Sequence, residues 1–541
     1  MKKLLAIFLV FCVAFTLFSC GKGGSETPAG ETSGGGDESP VPSGGQTAES
    51  PAGQPAGSVS VRDTLNVAMT QDRGTLDPSF MMGNDLLNAM RMVYEVLWEI
   101  DGEGNQIWLL ATGLELVEPT VWRVTLRQGV TFANGSPFTA DDVLFSLYRG
   151  NNRTGEPATF PVLNLDKSKA LDEHTVEIVF DSYDLSYLNG FSLLYIFDKE
   201  SFDEETVATT PNGTGPYEVT DYVINSHLDL TARDGYWGDK PAIENLHFAI
   251  MGEDSQRVTA LQTGLVDIAA VPFQDLEFVQ TLEGYNVDIF DNAQSRALYF
   301  SLDPASIFYE NQAARQAVCA AIDTEAIVNI AYSGFGSPSK LPVSKGNVGV
   351  TDNLLNQGVY GVGYDPETAA KLAGEAGIVG EEIALITDGS SDMVVIAELI
   401  QADLNAIGIP VKVWNLDTGS AASVYEDPSQ YDMCLTFTNV PSKTIAQNMY
   451  SWITFTFQGV YVKNPWEGRD RYLELTNDIM AVSDSDELAS RYAELIAIHS
   501  EAAPWFSLCD MVSAYAYNSD IRGYNLGFMG SINYSNLSWG E

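Results

Sequence analysis

The sequence predicts an α/β protein whose body divides into two or more lobes. Three observations carry that expectation. Strand and helix patterns alternate between Ile383 and Val413, the order of an α/β lobe. Hydrophobic residues make up 45% of the chain and aromatics 11%, enough for a sizeable core. The body runs for about 480 residues from Val59, beyond the ~250–300 at which a single core stops growing.

In chain order, Lys2 and Lys3 precede an apolar run from Leu4 to Phe18 that ends in Leu17-Phe18-Ser19-Cys20. A basic start, a short apolar stretch and a small residue before the cut mark residues 1–19 as a secretory leader. The run is shorter than the ~20 residues that span a bilayer. From Gly21 to Ser58 the chain is Gly, Ser, Pro, Glu, Thr, Ala and Gln with almost no large apolar side chain. Such a segment cannot bury enough surface to offset its ordering entropy, so residues 20–60 read as a flexible linker. At ~5–6 Å × √n, its reach is about 35 Å.

Asp63–Met69 alternates polar and apolar residues and reads as the first strand. Met90, Val93, Tyr94 and Leu97 share a helical face, which predicts a helix over Leu86–Ile100. Trp122–Leu126 is a strand. Asn134-Gly135 forms a tight turn, and Thr139 caps a helix that starts at Ala140, with Asp142 placed for a capping box. Gly213–Tyr217 is a turn entering a strand at Glu218–Tyr222. A helix over Ser255–Thr263 leads into a strand at Asp267–Ala270. Ala313–Ile330, Pro366–Ala376 and Asp392–Ile407 are helical, the last two stopped by Gly377 and Gly408.

The formal net charge is −45, and loss of Lys2 and Lys3 with the leader makes the mature chain more acidic still. The charge argues against nucleic-acid binding, which needs clustered Lys and Arg on phosphates. The acids spread along the chain as a solvated surface. Of the five cysteines, Cys12 leaves with the leader, and Cys319, Cys434 and Cys509 allow at most one intrachain disulfide. None shows Cys-x-x-Cys spacing. His174, His227, His247 and His499 are scattered with no pair at helical i, i+4 spacing, so no protein-built metal site and no cofactor is expected. The chain holds no Gly-x-Ser-x-Gly elbow, no His-Glu-x-x-His and no phosphate loop. No catalytic residue is therefore assigned. A glycosidase-like pair among the 73 acids stays open as a remote alternative.

Cys20, just after the cut, resembles the lipidated cysteine of bacterial lipoproteins. The body resembles the bacterial extracellular solute-binding proteins of family 5, from Leu65 to about Tyr524. The resemblance rests on an ordered series. It includes Leu76-Asp77-Pro78, Val93–Leu97, Leu126–Phe132 with Gly135–Val143, Gly213–Tyr217, and Leu261–Ile268. It continues through Arg315-Gln316-Ala317 with Ala321-Ile322-Asp323, Tyr364–Ala369 with Glu375-Ala376-Gly377, Leu404–Ile409, and Tyr431-Asp432. The resemblance implies a two-lobed periplasmic-binding-protein-like fold with a hinge and an extra subdomain on lobe one. Lobe one would hold residues 61–298, with the subdomain at about 90–202; lobe two would hold 299–502; and 503–541 would return to lobe one. It further implies an extracytoplasmic monomer, tethered to the membrane by lipid alone. Such a receptor takes a small solute in the interlobe cleft and hands it to a permease driven by ATPases on separate chains.

Peptide binders of this family carry an aspartate after the Tyr-Asp strand, in a Trp-x-x-Asp context, that pairs with the peptide's α-ammonium. Here the stretch reads Tyr431-Asp432-Met433-Cys434-Leu435-Thr436-Phe437-Thr438-Asn439-Val440-Pro441, with no acid after Asp432. Asp417 and Asp427 are candidate substitutes. An oligopeptide-like solute is the first expectation, and an oligosaccharide or a metal chelate the alternative. The ligand-binding candidates are Trp414, Asn415, Thr436, Phe437, Thr438, Asn439, Tyr450 and Trp452, with Asn448 beside them. Aromatics stack on apolar faces, and amides and hydroxyls satisfy polar groups. For each aromatic alone, burial in a core is the competing role.

The lipid reading has a direct test. Cys20→Ala should move the protein from the membrane to the soluble fraction on cell fractionation; a variant that stays with membranes contradicts it.

Overall fold

The computed structural model describes residues 62–540 apart from 80–83, 101–105, 153–159, 161–162, 182–189, 348, 357–362, 439–444, 447, 450–452, 454–459, 481, 483–484 and 528–529. The leader, Cys20 and the linker lie outside the described residues, as do Asn439, Tyr450 and Trp452.

Eleven strands form the main sheet. Its order is Val411–Asn415, Ile383–Thr387, Met433–Thr438, Tyr285–Phe300, Trp505–Asn518, Ile268–Ala270, Thr64–Met69, Asn245–Ile250, His227–Ala232 and Tyr217–Val223, with Ser337–Pro338 beside Trp505–Asn518. At the centre, Tyr285–Phe300 and Trp505–Asn518 pair antiparallel along most of their length. The ladder runs from Tyr285 opposite Asn518 to Asp291 opposite Val512, breaks, and resumes from Ser295 opposite Asp510 to Tyr299 opposite Trp505. Ala293, inside the break, has φ of 55°, a conformation that non-glycine residues seldom adopt.

The cores divide at that break. Two clusters, exemplified by Leu65, Phe248 and Tyr534 and by Ala68, Leu261 and Ala516, draw on the segments around the first part of the long strand and the last part of its partner. Two others, exemplified by Leu298, Leu435 and Leu508 and by Tyr299, Tyr461 and Trp505, draw on residues 297–509. A further cluster, from Leu97 to Ile196, sits under a separate four-stranded sheet of Ala111–Glu118, Val121–Leu126, Thr175–Val179 and Lys169–Asp172. The fold is thus a two-lobed α/β structure with a subdomain on the first lobe. Trp505 shows why the second lobe closes where it does. It is 1% exposed, its indole Nε1 donates to the Pro342 carbonyl at 3.1 Å, and its ring lies 4.1 Å from that of His499. Burial pushes His499 down to about 3, so its ring is neutral and Nε2 donates to the Trp505 carbonyl.

Most expected elements form within a residue or two. The helix Pro366–Ala376 is capped by Asp365 and ended by Gly377 at φ 74°. Asp142 receives the Thr139 amide at 2.8 Å and its hydroxyl at 3.0 Å, closing the cap of Ala140–Asn152. Two expectations fail. The helix expected over Leu86–Ile100 ends at Met90, because the backbone beyond it takes partners elsewhere. The Gly215 and Tyr217 amides donate to the Val93 and Met92 carbonyls, and Ile196 to that of Glu95. Gly213 and Gly215 permit this approach, since a Cβ there would lie 2.0 Å from Val93 O and 2.3 Å from Met92 O. The Val-Tyr-Glu-Val-Leu-Trp run also favours extended backbone. The helix expected over Ala313–Ile330 is two, Gln312–Ala321 and Thr324–Ala331, because Asp323 accepts from the Ala326 amide and starts the second. Arg315, fully buried, bonds the carbonyls of Phe308 and Ala502 and pairs with Glu467. Cys319, Cys434 and Cys509 are free and buried.

Candidate functional site

Ligands of open α/β sheets bind outside the C-terminal ends of parallel strands, where strand order reverses. Both lobes turn such ends toward the break in the central ladder. In the first lobe, Thr64–Met69 runs parallel to Asn245–Ile250 and Ile268–Ala270, and the last strand advances from Tyr517 to Tyr515 along its antiparallel neighbour. In the second, Ile383–Thr387 runs parallel to Val411–Asn415 and Met433–Thr438, and the last advances from Phe300 to Ser295. The segments that follow these ends, Val271–Phe273 on one side and Asp388–Ser390, Leu416-Asp417 and Thr438 on the other, therefore form the facing rims.

One set of side chains spans the rims. Phe273 packs against both cores, with its ring centroid 5.7 Å from Tyr332 and 5.8 Å from Phe335. The Ser333 hydroxyl donates to the Phe273 carbonyl at 3.3 Å. The Tyr332 hydroxyl donates to Asp392 at 2.7 Å, and Asp392 pairs with Arg296 at 2.6 Å, one residue past the break. Burial alone would raise the Asp392 carboxyl, but the Arg296 guanidinium and the Tyr332 and Ser390 hydroxyls hold it below the ordinary carboxylate range.

At the break itself, Asp510 is 3% exposed. It accepts from the Ser295 hydroxyl at 2.8 Å, and the Lys345 amide is 3.4 Å away. Burial pushes its carboxyl up to about 6, against the opposing effects of Ser295 and Lys345.

The sequence-derived candidates divide by strand alternation. Ile386, Trp414 and Cys434 are register neighbours, so Trp414, Thr436 and Thr438 share one sheet face. Asn448 is buried among neighbours of the core that packs on that face. Trp414 is half-buried, with the Lys412 ammonium 5.2 Å from its ring centre. The Thr438 hydroxyl is buried at the strand end with no partner among the described residues. Phe437 points to the opposite face, beside Arg296 in register, and Asn415 is exposed at its strand end. Of the two substitute acids, Asp417 stands on the rim and caps the helix Thr418–Tyr425 through the Ser420 amide. Asp427 precedes the opposite end of its strand, where it holds a turn through Ser429 and Gln430. Sequence reasoning missed Asp388, Asp392, Arg296 and Asp510. The first two stand in a strand–loop–helix connection whose Gly389, at φ 71°, was the available signal.

Comparison with known proteins agrees with this architecture. Residues 108–458 match the model of the bacterial extracellular solute-binding proteins, family 5 Middle. The heme-binding protein A of Haemophilus influenzae is 24% identical over 447 residues, covering 74% of this chain and 78% of that one. The dipeptide-binding protein of Escherichia coli is 24% identical over 452 residues, covering 76% and 82%. Among solved structures, the oligopeptide-binding protein AppA of Bacillus subtilis, in complex with a nonapeptide, superposes with a TM-score of 0.77 at 18% identity, covering 88% of this chain and 99% of that one. NikZ of Campylobacter jejuni, in complex with Ni(L-His), gives 0.75 at 21%, with coverage of 88% and 99%. Two lobes meeting at convergent strand ends fit a solute-binding protein. The chain belongs to family 5 of the bacterial extracellular solute-binding proteins.

Asp510 sets a pH dependence. Between the usual carboxylate range and about 6, the folded chain holds a proton that the unfolded chain has released. The stability it contributes is fully present below the unfolded value and is lost as pH rises through about 6. Asp510→Asn stays neutral and should lose that slope. Urea unfolding should show the wild type falling by up to about 3 kcal/mol more than the variant between pH 4 and 7. Glu95, pushed up to about 7 by burial, keeps its own slope in both. Equal slopes would contradict the assignment.

Proposed function

We propose that the chain is a lipid-anchored extracytoplasmic receptor of an ABC importer, binding an oligopeptide-like solute between its lobes and delivering it to a separate permease. The observation that carries this reading is the convergence of parallel strand ends from both lobes on the break in the central ladder. The leader and Cys20 support the anchor. Relatives named for a dipeptide and a structure holding a nonapeptide support the solute class. In place of the missing aspartate, Asp388 and Asp417 stand at the rim and meet a peptide ammonium there. We place the lobe boundaries at the break, Asp291–Ser295 and Asp510–Val512, a few residues from the 298/299 and 502/503 boundaries that the family resemblance implies, with a single copy as the working unit.

A second reading, an oligosaccharide, is favoured by the half-buried Trp414 ring and the Thr438 hydroxyl, unpartnered among the described residues, on one face. A thermal-shift screen of the purified chain separates the two. A ligand at 100 times its Kd stabilises by ~2.7 kcal/mol. Free-amine peptides should raise the melting temperature and their N-acetylated forms should not. Oligosaccharides that raise it while peptides leave it unchanged would replace the peptide reading.

A further inference from the structure

Away from the convergent rims, the edge of the first lobe carries two of the four histidines in the 541-residue chain. Strands Tyr217–Val223, His227–Ala232 and Asn245–Ile250 lie side by side and antiparallel. Leu228 and Leu230 point into the core, so His227 and Asp229 share the outer face. Asp229 lies directly opposite Asp221 on one side and His247 on the other. The register slips between Val219 and Asp221, a bulge of the kind that re-aims a side chain.

These side chains converge. His227 Nε2 is 3.1 Å from Asp221 Oδ2 and 3.9 Å from Asp229 Oδ2. One donor atom from each of Asp221, His227 and Asp229 lies within 4.8 Å of the others. A metal held at ~2.0–2.2 Å by nitrogen and oxygen separates its donors by about 3–4 Å, so little movement is needed. His247 Nδ1 bonds the other Asp229 oxygen at 2.6 Å, which fixes the carboxylate and leaves Oδ2 directed at His227. Two aspartates directly opposite across a strand pair repel each other, and a cation between them removes that penalty. The site is open to solvent, with side-chain exposure of 26% for His227 and 60% for Asp221.

We infer that Asp221, His227 and Asp229 bind a divalent transition-metal cation, with His247 as the positioning residue of the carboxylate. Imidazole with carboxylate suits zinc, nickel or copper, whereas calcium and magnesium prefer all-oxygen shells. Helical spacing of histidines could not reveal the site, because its members meet across strands. The inference does not rest on the solute reading.

Zinc chloride titrated calorimetrically into the chelator-treated full chain at pH 7 tests it, with circular dichroism checking that each variant folds. One equivalent should bind. His227→Ala and Asp229→Asn should each weaken binding about 10-fold or more, and His247→Ala should weaken it less. His174→Ala, on the other sheet, should bind as the wild type does. Magnesium chloride should give no saturable heat. Absence of zinc binding, a magnesium response equal to that of zinc, or a folded His227→Ala that binds zinc as tightly as the wild type would overturn the site.

Discussion

Two long antiparallel strands, Tyr285–Phe300 and Trp505–Asn518, join the lobes, and a break in their pairing separates them. A continuous ladder would make one stiff sheet. Here the pairing lapses between Asp291 and Ser295, and Ala293 takes a left-handed backbone conformation. Gly346 packs onto it so closely that a Cβ there would lie 2.7 Å from the Ala293 side chain. On the partner strand, Asp510 answers the break by bonding Ser295. A break of this kind gives a hinge-type motion a few residues in which to be absorbed.

The side chains around this joint couple it to the rims. Arg296 leads to Asp392, Asp392 to Tyr332, and Tyr332 to Phe273 in the opposite lobe. A buried ion pair of this kind adds little net stability, yet losing one partner costs about 3–5 kcal/mol. Its effect is to fix geometry: the first turn of the helix Ser391–Ala406 is held against the crossing strand, and the Asp388–Ser390 loop with it. The rim of the second lobe is thus a preformed wall, and Phe273 reaches it from the first lobe.

Much of this was legible in the sequence, for local reasons. Asp365 before Pro366 and Gly377 after Ala376 set a helix from cap to stop without tertiary help. The α/β alternation from Ile383 to Val413 emerged as parallel strands around a helix. Failures came where distant partners overrode local preference. Val93 looks helical by spacing, but its carbonyl and that of Met92 accept from the Gly215 and Tyr217 amides. Of the candidate side chains, Trp414, Thr436 and Thr438 could be picked out in the sequence because they sit at or near strand ends in a recognisable order. Asp510 and Arg296 were not, because their partners across the ladder are remote in sequence: only the fold unites Arg296 with Cys509 and Ser295 with Asp510. The edge cluster of Asp221, His227, Asp229 and His247 was invisible for the same reason: its spacing follows strand register, not helical period.

Hydrogen exchange with and without a saturating solute tests the central point, that the solute is held where the strand ends of both lobes converge. Slowed exchange should concentrate at Val271–Phe273, Asp388–Ser390 and Leu416-Asp417, with a second effect at Asp291–Ser295 and Asp510–Val512. Slowed exchange confined to one lobe, with both crossings unchanged, would contradict capture between the lobes.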